Sequence, residues 1–122
     1  MRFMMLMIPK AYSAASADAR PDLDAVKRMM KYNEELTKAG VLLALDGLHP
    51  PAAGVRVRYP KGKPQVTDGP FAEAKEVLGG YWMLEAESKE ELVKWAQRCP
   101  ALKGDVIEIR QIFDCASLAN KK

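Results

Sequence analysis

The stretch Gly80-Tyr81-Trp82-Met83-Leu84-Glu85-Ala86-Glu87-Ser88-Lys89-Glu90-Glu91-Leu92-Val93 decides the fold. Its first seven residues, rich in aromatic and large apolar side chains, read as a strand over 80–86. Both alternating sets of Tyr81-Trp82-Met83-Leu84 are apolar, so neither face of this strand suits water. Ser88 with Glu91 three residues later is a capping box, in which hydroxyl and carboxylate each satisfy an orphan amide at a helix start. The helix then buries Leu92, Val93, Trp95 and Ala96 and stops near Arg98, because Pro100 cannot continue it. Residues 106–112 supply a further strand. Half of the chain thus reads strand, helix, strand.

The other half repeats the rhythm. Residues 2–8 form a strand apolar on both faces, and 10–20 are a small, polar, Ala/Ser-rich loop. Over 24–39 the positions Val26, Met29, Met30, Leu36 and Ala39 fall near helical spacing, with Asn33 as a polar interruption. Gly40 stops this helix, as a residue free to adopt positive φ does, and 41–45 form the second strand.

Between the halves lies a segment of different composition. Of the 8 Gly and 8 Pro residues, 11 fall between Gly47 and Gly80, together with His49, the 1 histidine of the chain. Pro50 and Pro51 remove ladder donors, so the residues after Gly47 are irregular. Val55-Arg56-Val57-Arg58-Tyr59 alternates with period two, turns at Pro60-Lys61-Gly62-Lys63 and returns through 64–67 as an inserted hairpin. Asp68-Gly69-Pro70-Phe71 is a second turn.

This order is α+β and ferredoxin-like, a split βαβ with both helices on one face of an antiparallel sheet. Two helices cover only one face, yet strands 2–8, 41–45 and 80–86 are apolar on both. An uncovered face of that composition is a large apolar patch, and a second copy of the chain is the expected cover. A homodimer is expected from burial alone.

The length of 122 residues sets one domain, 1–122, with 113–122 as a C-terminal tail. At 48% apolar residues the chain can build a core, which excludes wholesale disorder. The apolar run 3–8 is below the ~7–15 residues of a signal-peptide core and far below the ~20 of a membrane span. The expectation is therefore a cytoplasmic protein with no membrane partner. Two cysteines, Cys99 and Cys115, make no disulfide framework, and no metal-ligand spacing exists, so neither metal nor cofactor is expected. The net charge of +3 includes Lys121-Lys122, and the basic hairpin residues Arg56, Arg58, Lys61 and Lys63 are accompanied by one aromatic, Tyr59. No nucleic-acid partner is expected from that pattern.

The block from Asp68-Gly69-Pro70-Phe71-Ala72-Glu73-Ala74-Lys75-Glu76 to Leu78-Gly79-Gly80-Tyr81 resembles the DGPF family within the YCII-related proteins. The likeness extends to Tyr32-Asn33-Glu34-Glu35-Leu36, Ala39-Gly40-Val41-Leu42, Gly47-Leu48-His49-Pro50 and Glu108-Ile109-Arg110. Ala74 stands where threonine is usual, and Gln111 where proline often follows the arginine. The resemblance implies a dimeric ferredoxin-like α+β barrel. It names no reaction, since the family is largely uncharacterised, but its members are often encoded beside extracytoplasmic-function sigma factors.

Chemistry is sought first at His49, because an imidazole can serve as general acid or base and this one sits in an irregular loop. A loop histidine bonded to backbone is the competing reading. Asp68, most simply a turn-former, would orient His49 if its carboxylate reached the ring. Glu73 is a second acid/base and Lys75 an anion-binding group, both raised by the resemblance above the reading of a solvated charged segment. Glu108 and Arg110 alternate with Ile107 and Ile109 and share one sheet face. There Arg110 would bind a substrate anion, or the pair would fix dimer geometry. The leading expectation is a cofactor-independent enzyme doing acid/base chemistry on a small metabolite. The other is a non-enzymatic ligand-binding or regulatory protein with a sigma factor as partner.

Overall fold

The computed structural model describes residues 1–71 and 76–116. The element order is β1 (Arg2–Ile8), α1 (Leu23–Lys38), β2 (Leu42–Gly47), β3 (Val55–Arg58), β4 (Gln65–Asp68), β5 (Gly80–Glu85), α2 (Lys89–Arg98) and β6 (Val106–Gln111). Four strands make one sheet in the order β2-β5-β1-β6, and β3-β4 is a separate two-stranded sheet. β5 is antiparallel to both β1 and β2, which are therefore parallel to each other and split by it. That is the expected ferredoxin-like α+β architecture.

The core lies between the sheet and the two helices. Phe3, Met5 and Met7 of β1 and Trp82 and Leu84 of β5 meet Tyr32 and Leu36 of α1 and Leu92 of α2. Met5, Leu36, Leu84 and Leu92 have no exposed surface, each contributing about 1.5–3 kcal/mol of burial. The polar interruption at Asn33 has its reason here. Its side-chain carbonyl accepts the indole N–H of Trp82 at 2.8 Å, so a large core aromatic is buried without an orphan donor. Tyr32 stands edge-on to Trp82 and Trp95, and its hydroxyl donates to the Trp95 carbonyl at 2.7 Å. Burial, chiefly, holds that phenol well above its ordinary pKa.

The helix ends follow local chemistry. Asp22, rather than a residue nearer Asp24, caps α1 by accepting from Ala25 N at 3.1 Å. Ser88 caps α2 by accepting from Glu91 N at 3.3 Å, while the Glu91 carboxylate accepts from Glu87 N one residue before the cap. The box is thus reciprocal but shifted at its return bond. Gly40 follows α1 with φ +74.

Cys99 ends α2, half-buried against the core, while Cys115 is exposed. Burial, helped by the Asp105 carboxylate, pushes the Cys99 thiol up to about 11. At pH 8 about one molecule in a thousand carries its thiolate, the reactive form. Iodoacetamide at that pH should therefore label Cys115 and spare Cys99 until denaturant is added. Mass spectrometry showing equal labelling of the two in the native protein would contradict this packing. The folded value is raised, so stability from the neutral thiol is full below about pH 9 and is lost as pH rises towards about 11.

The opposite sheet face carries Met4, Leu6, Ile8, Tyr81 and Met83, each half-buried and none part of the helix-side core. Register places Leu6 between Tyr81 and Glu108, and Met4 between Met83 and Arg110. The expected two-faced apolarity of β1 and β5 is present. The hairpin is exposed along both strands, with Val55 opposite Asp68 and Val57 opposite Val66. Arg56 pairs across to Thr67 and Arg58 to Gln65, so the two arginines share a face as their alternation requires. The Arg56 guanidinium stacks over the Phe71 ring at 4.0 Å, a contact to the hairpin rather than to the main core. β6 ends at Gln111, and residues 117–122 of the anticipated tail lie outside the described residues. Among the described residues no helix is long and apolar enough to cross a membrane.

Candidate functional site

Three loops meet at one end of the sheet. β1 runs out into Pro9, a short 3-10 turn follows at Tyr12–Ala14, and β2 runs out into Leu48-His49. Backbone bonds tie them together: Gly79 N donates to Met7 O at 2.8 Å, and Leu48 N donates to Gly79 O at 2.9 Å. The Tyr12 hydroxyl donates to the Leu48 carbonyl, and burial raises that phenol's pKa. Its proton is therefore committed to a structural bond. Ala11, with φ 59, turns the chain into this corner in a conformation costing alanine about 1–2 kcal/mol.

Gly79 is glycine for a steric reason. A Cβ there would overlap the Pro9 ring, lying 2.8 Å from its Cδ, and would lie 3.6 Å from the Tyr12 ring. Absence of that side chain lets the loops approach and leaves a cleft between them of about 880 Å³. Pro9, Ala15, Ala19, Pro21 and Leu48 give it apolar walls, with Gly47 and Gly79 contributing bare backbone. The polar groups on the wall are Tyr12, Asp18, Arg20 and His49. Asp18 accepts from the Ser16 hydroxyl at 2.9 Å. Arg20 makes no ion pair among the described residues, where the recorded pair is Arg98 with Glu35 at 2.6 Å.

Among the described residues, those picked from sequence fall in separate places. His49 lines the cleft, exposed to solvent. Asp68 is the last residue of β4, opposite Val55, and is not on the cleft wall; the adjacent Gly69 N donates to Gly54 O at 2.9 Å. No hydrogen bond joins Asp68 to His49 among the described residues. Asp68 closes the hairpin ladder, and Gly69 after it packs against the Pro51 and Gly54 backbone. Glu108 and Arg110 are exposed on the open sheet face, beside Leu6 and Met4. Glu73 and Lys75 lie outside the described residues.

What sequence reasoning passed over is the 10–20 loop. Asp18 and Arg20 are its charged residues after Lys10, and Tyr12 its aromatic, all set among small side chains. That contrast was the available signal. A second polar pair was also passed over: Tyr81 donates to Asp46 at 2.8 Å, and this bond raises the phenol's pKa ahead of the carboxylate's charge and burial. The pair lies in the same row of the open sheet face as Leu6 and Glu108. Among the described residues no group of three or more His, Cys, Asp or Glu is arranged to hold a metal ion.

A split βαβ sheet with a loop-walled cleft lined by imidazole, carboxylate and guanidinium groups is a small α+β domain. The chain belongs to the family of the YCII-related domain, which matches residues 1–116. It is similar to the uncharacterised protein R00369 of Rhizobium meliloti (strain 1021), with 40% identity over 76 residues. The match covers 62% of this chain and 56% of that protein, so the chain spans about half the length of the curated relative.

Proposed function

We propose that this YCII-related protein is a small enzyme that moves a proton on a compact metabolite held in the cleft, with His49 as the acid/base. The single observation that supports this most is the position of the chain's one histidine on a cleft wall shared with a carboxylate and a guanidinium. An imidazole exchanges protons near neutral pH without strong tuning, and such a group contributes typically ~10²–10⁴-fold to a rate. Asp18 takes the supporting role that sequence assigned to Asp68, because Asp18 shares the wall with His49. Arg20 takes the anion-binding role assigned to Lys75 and Arg110.

The working unit of this reading is a homodimer joined through the open sheet face, whose half-buried apolar residues lie outside the helix-side core. The cytoplasm is its expected location. A ligand that binds the native state raises Tm, so a metabolite library screened by thermal shift identifies the substrate class directly. His49 is exposed, so His49→Gln should leave Tm unchanged and lower turnover of the identified substrate by about a hundredfold or more. Full turnover in that variant would overturn the assignment. Ligand stabilisation without any turnover would favour the non-enzymatic reading, a ligand-responsive partner of a sigma factor.

A further inference from the structure

We propose that the cleft selects a carboxylate monoanion carried on a compact apolar body, with Arg20 as the group that reads the charge. The inference rests on the cleft being the ligand site and adds the class of ligand it takes.

Few donors on the wall are free. The Tyr12 hydroxyl donates to Leu48 O, and Asp18, an acceptor, takes the Ser16 hydroxyl on one oxygen. The donors left for a ligand are the Arg20 guanidinium, whose charge favours an anion, and a ring N–H of His49. Pro9, Pro21, Leu48 and the two alanines offer a ligand body only apolar contact. A neutral sugar-like molecule would therefore leave most of its hydroxyls unpaired on this wall. Carboxylate geometry matches a guanidinium fork bidentately, which makes one arginine sufficient for one carboxylate.

Phosphate is the competing anion, and two features count against it. Phosphate sites commonly add helix N-terminal amides to their cations. Here the first turn of α1, directly after Pro21, is capped by Asp22 and carries Asp24. Asp18 adds a further negative charge on the cleft wall itself. One guanidinium among those carboxylates suits a single negative charge better than two.

The test uses the full chain and defined probes: benzoate, benzamide, cyclohexanecarboxylate, its amide, and phenyl phosphate. Binding is followed by amide chemical shifts of Ala15, Gly47 and Gly79, which line the cleft. Both carboxylates should bind about tenfold or more tighter than their amides, as expected of a charge-assisted contact. Arg20→Gln, at an exposed position, should bring that ratio close to one while leaving Tm unaltered. Amides that shift the same resonances with equal affinity would overturn the carboxylate class and leave the cleft as the ligand site. Phenyl phosphate binding tighter than benzoate would overturn it in favour of phosphate. An undiminished ratio in Arg20→Gln would remove Arg20 as the reader. No response of the cleft residues to any probe at millimolar concentration would overturn both this inference and the reading on which it rests.

Discussion

Gly79→Ala should pull the cleft walls apart, abolishing ligand-induced stabilisation and lowering stability by about 1–3 kcal/mol, the usual cost of overpacking. The added methyl meets a proline ring, which cannot swing aside like a long side chain; Cδ of Pro9 is 2.8 Å away. Relief requires the 9–21 segment to move off the 47–49 loop, which breaks the Tyr12 bond to Leu48 and displaces Asp18 and Arg20 from His49. Gly47→Ala is the internal control. Gly47 lines the same cleft, yet a Cβ there meets nothing within 4 Å. Urea unfolding and the thermal shift with a bound ligand should separate the two variants, Gly79→Ala losing both signals and Gly47→Ala keeping both. Identical behaviour would mean that the loop contact does not shape the cleft.

The contrast between those glycines also shows why the fold was legible and most of the cleft wall besides His49 was not. Strand and helix identity rests on spacing that any window of the chain displays. Residues 80–93 carry a strand, a cap and an amphipathic turn within one stretch, and the structure keeps all three. Asn33 looked like a defect in a helix pattern, because its partner Trp82 is 49 positions away. The cleft has the same difficulty throughout. Tyr12 meets Leu48 across 36 positions, and Pro9 meets Gly79 only once the sheet is assembled. A segment read as bland loop thus supplied the charged wall.

Asp68 teaches the converse. Its sequence setting before Gly-Pro satisfied a turn rule, with an orienting role only if its carboxylate reached His49. The antiparallel ladder extends one pair further than the turn signal implied, to Val55 opposite Asp68. Local rules place such a residue in an element but do not aim it.

Leu6→Lys should convert the proposed homodimer to monomer with little loss of protomer stability. Leu6 lies at the centre of the open sheet face, between Tyr81 on β5 and Glu108 on β6. In an isolated protomer this face meets water, and a lysine opposite Glu108 gains a cross-strand opposite-charge pair worth roughly 0.2–1 kcal/mol. In a two-fold dimer packed sheet against sheet, the same substitution enters the interface twice. It then buries two ammonium groups where apolar contacts stood, costing several kcal/mol even after relaxation, and the dissociation constant should rise about a hundredfold or more. Sedimentation at micromolar concentration should show a dimer for the native chain and a monomer for Leu6→Lys, with similar urea midpoints for the folded protomers. A variant that stays dimeric would move the interface elsewhere, with the exposed Val55, Val57 and Val66 of the hairpin as the next apolar surface to test. A native chain that sediments as a monomer would mean that the half-buried sheet face tolerates water, and the burial argument for pairing would fail.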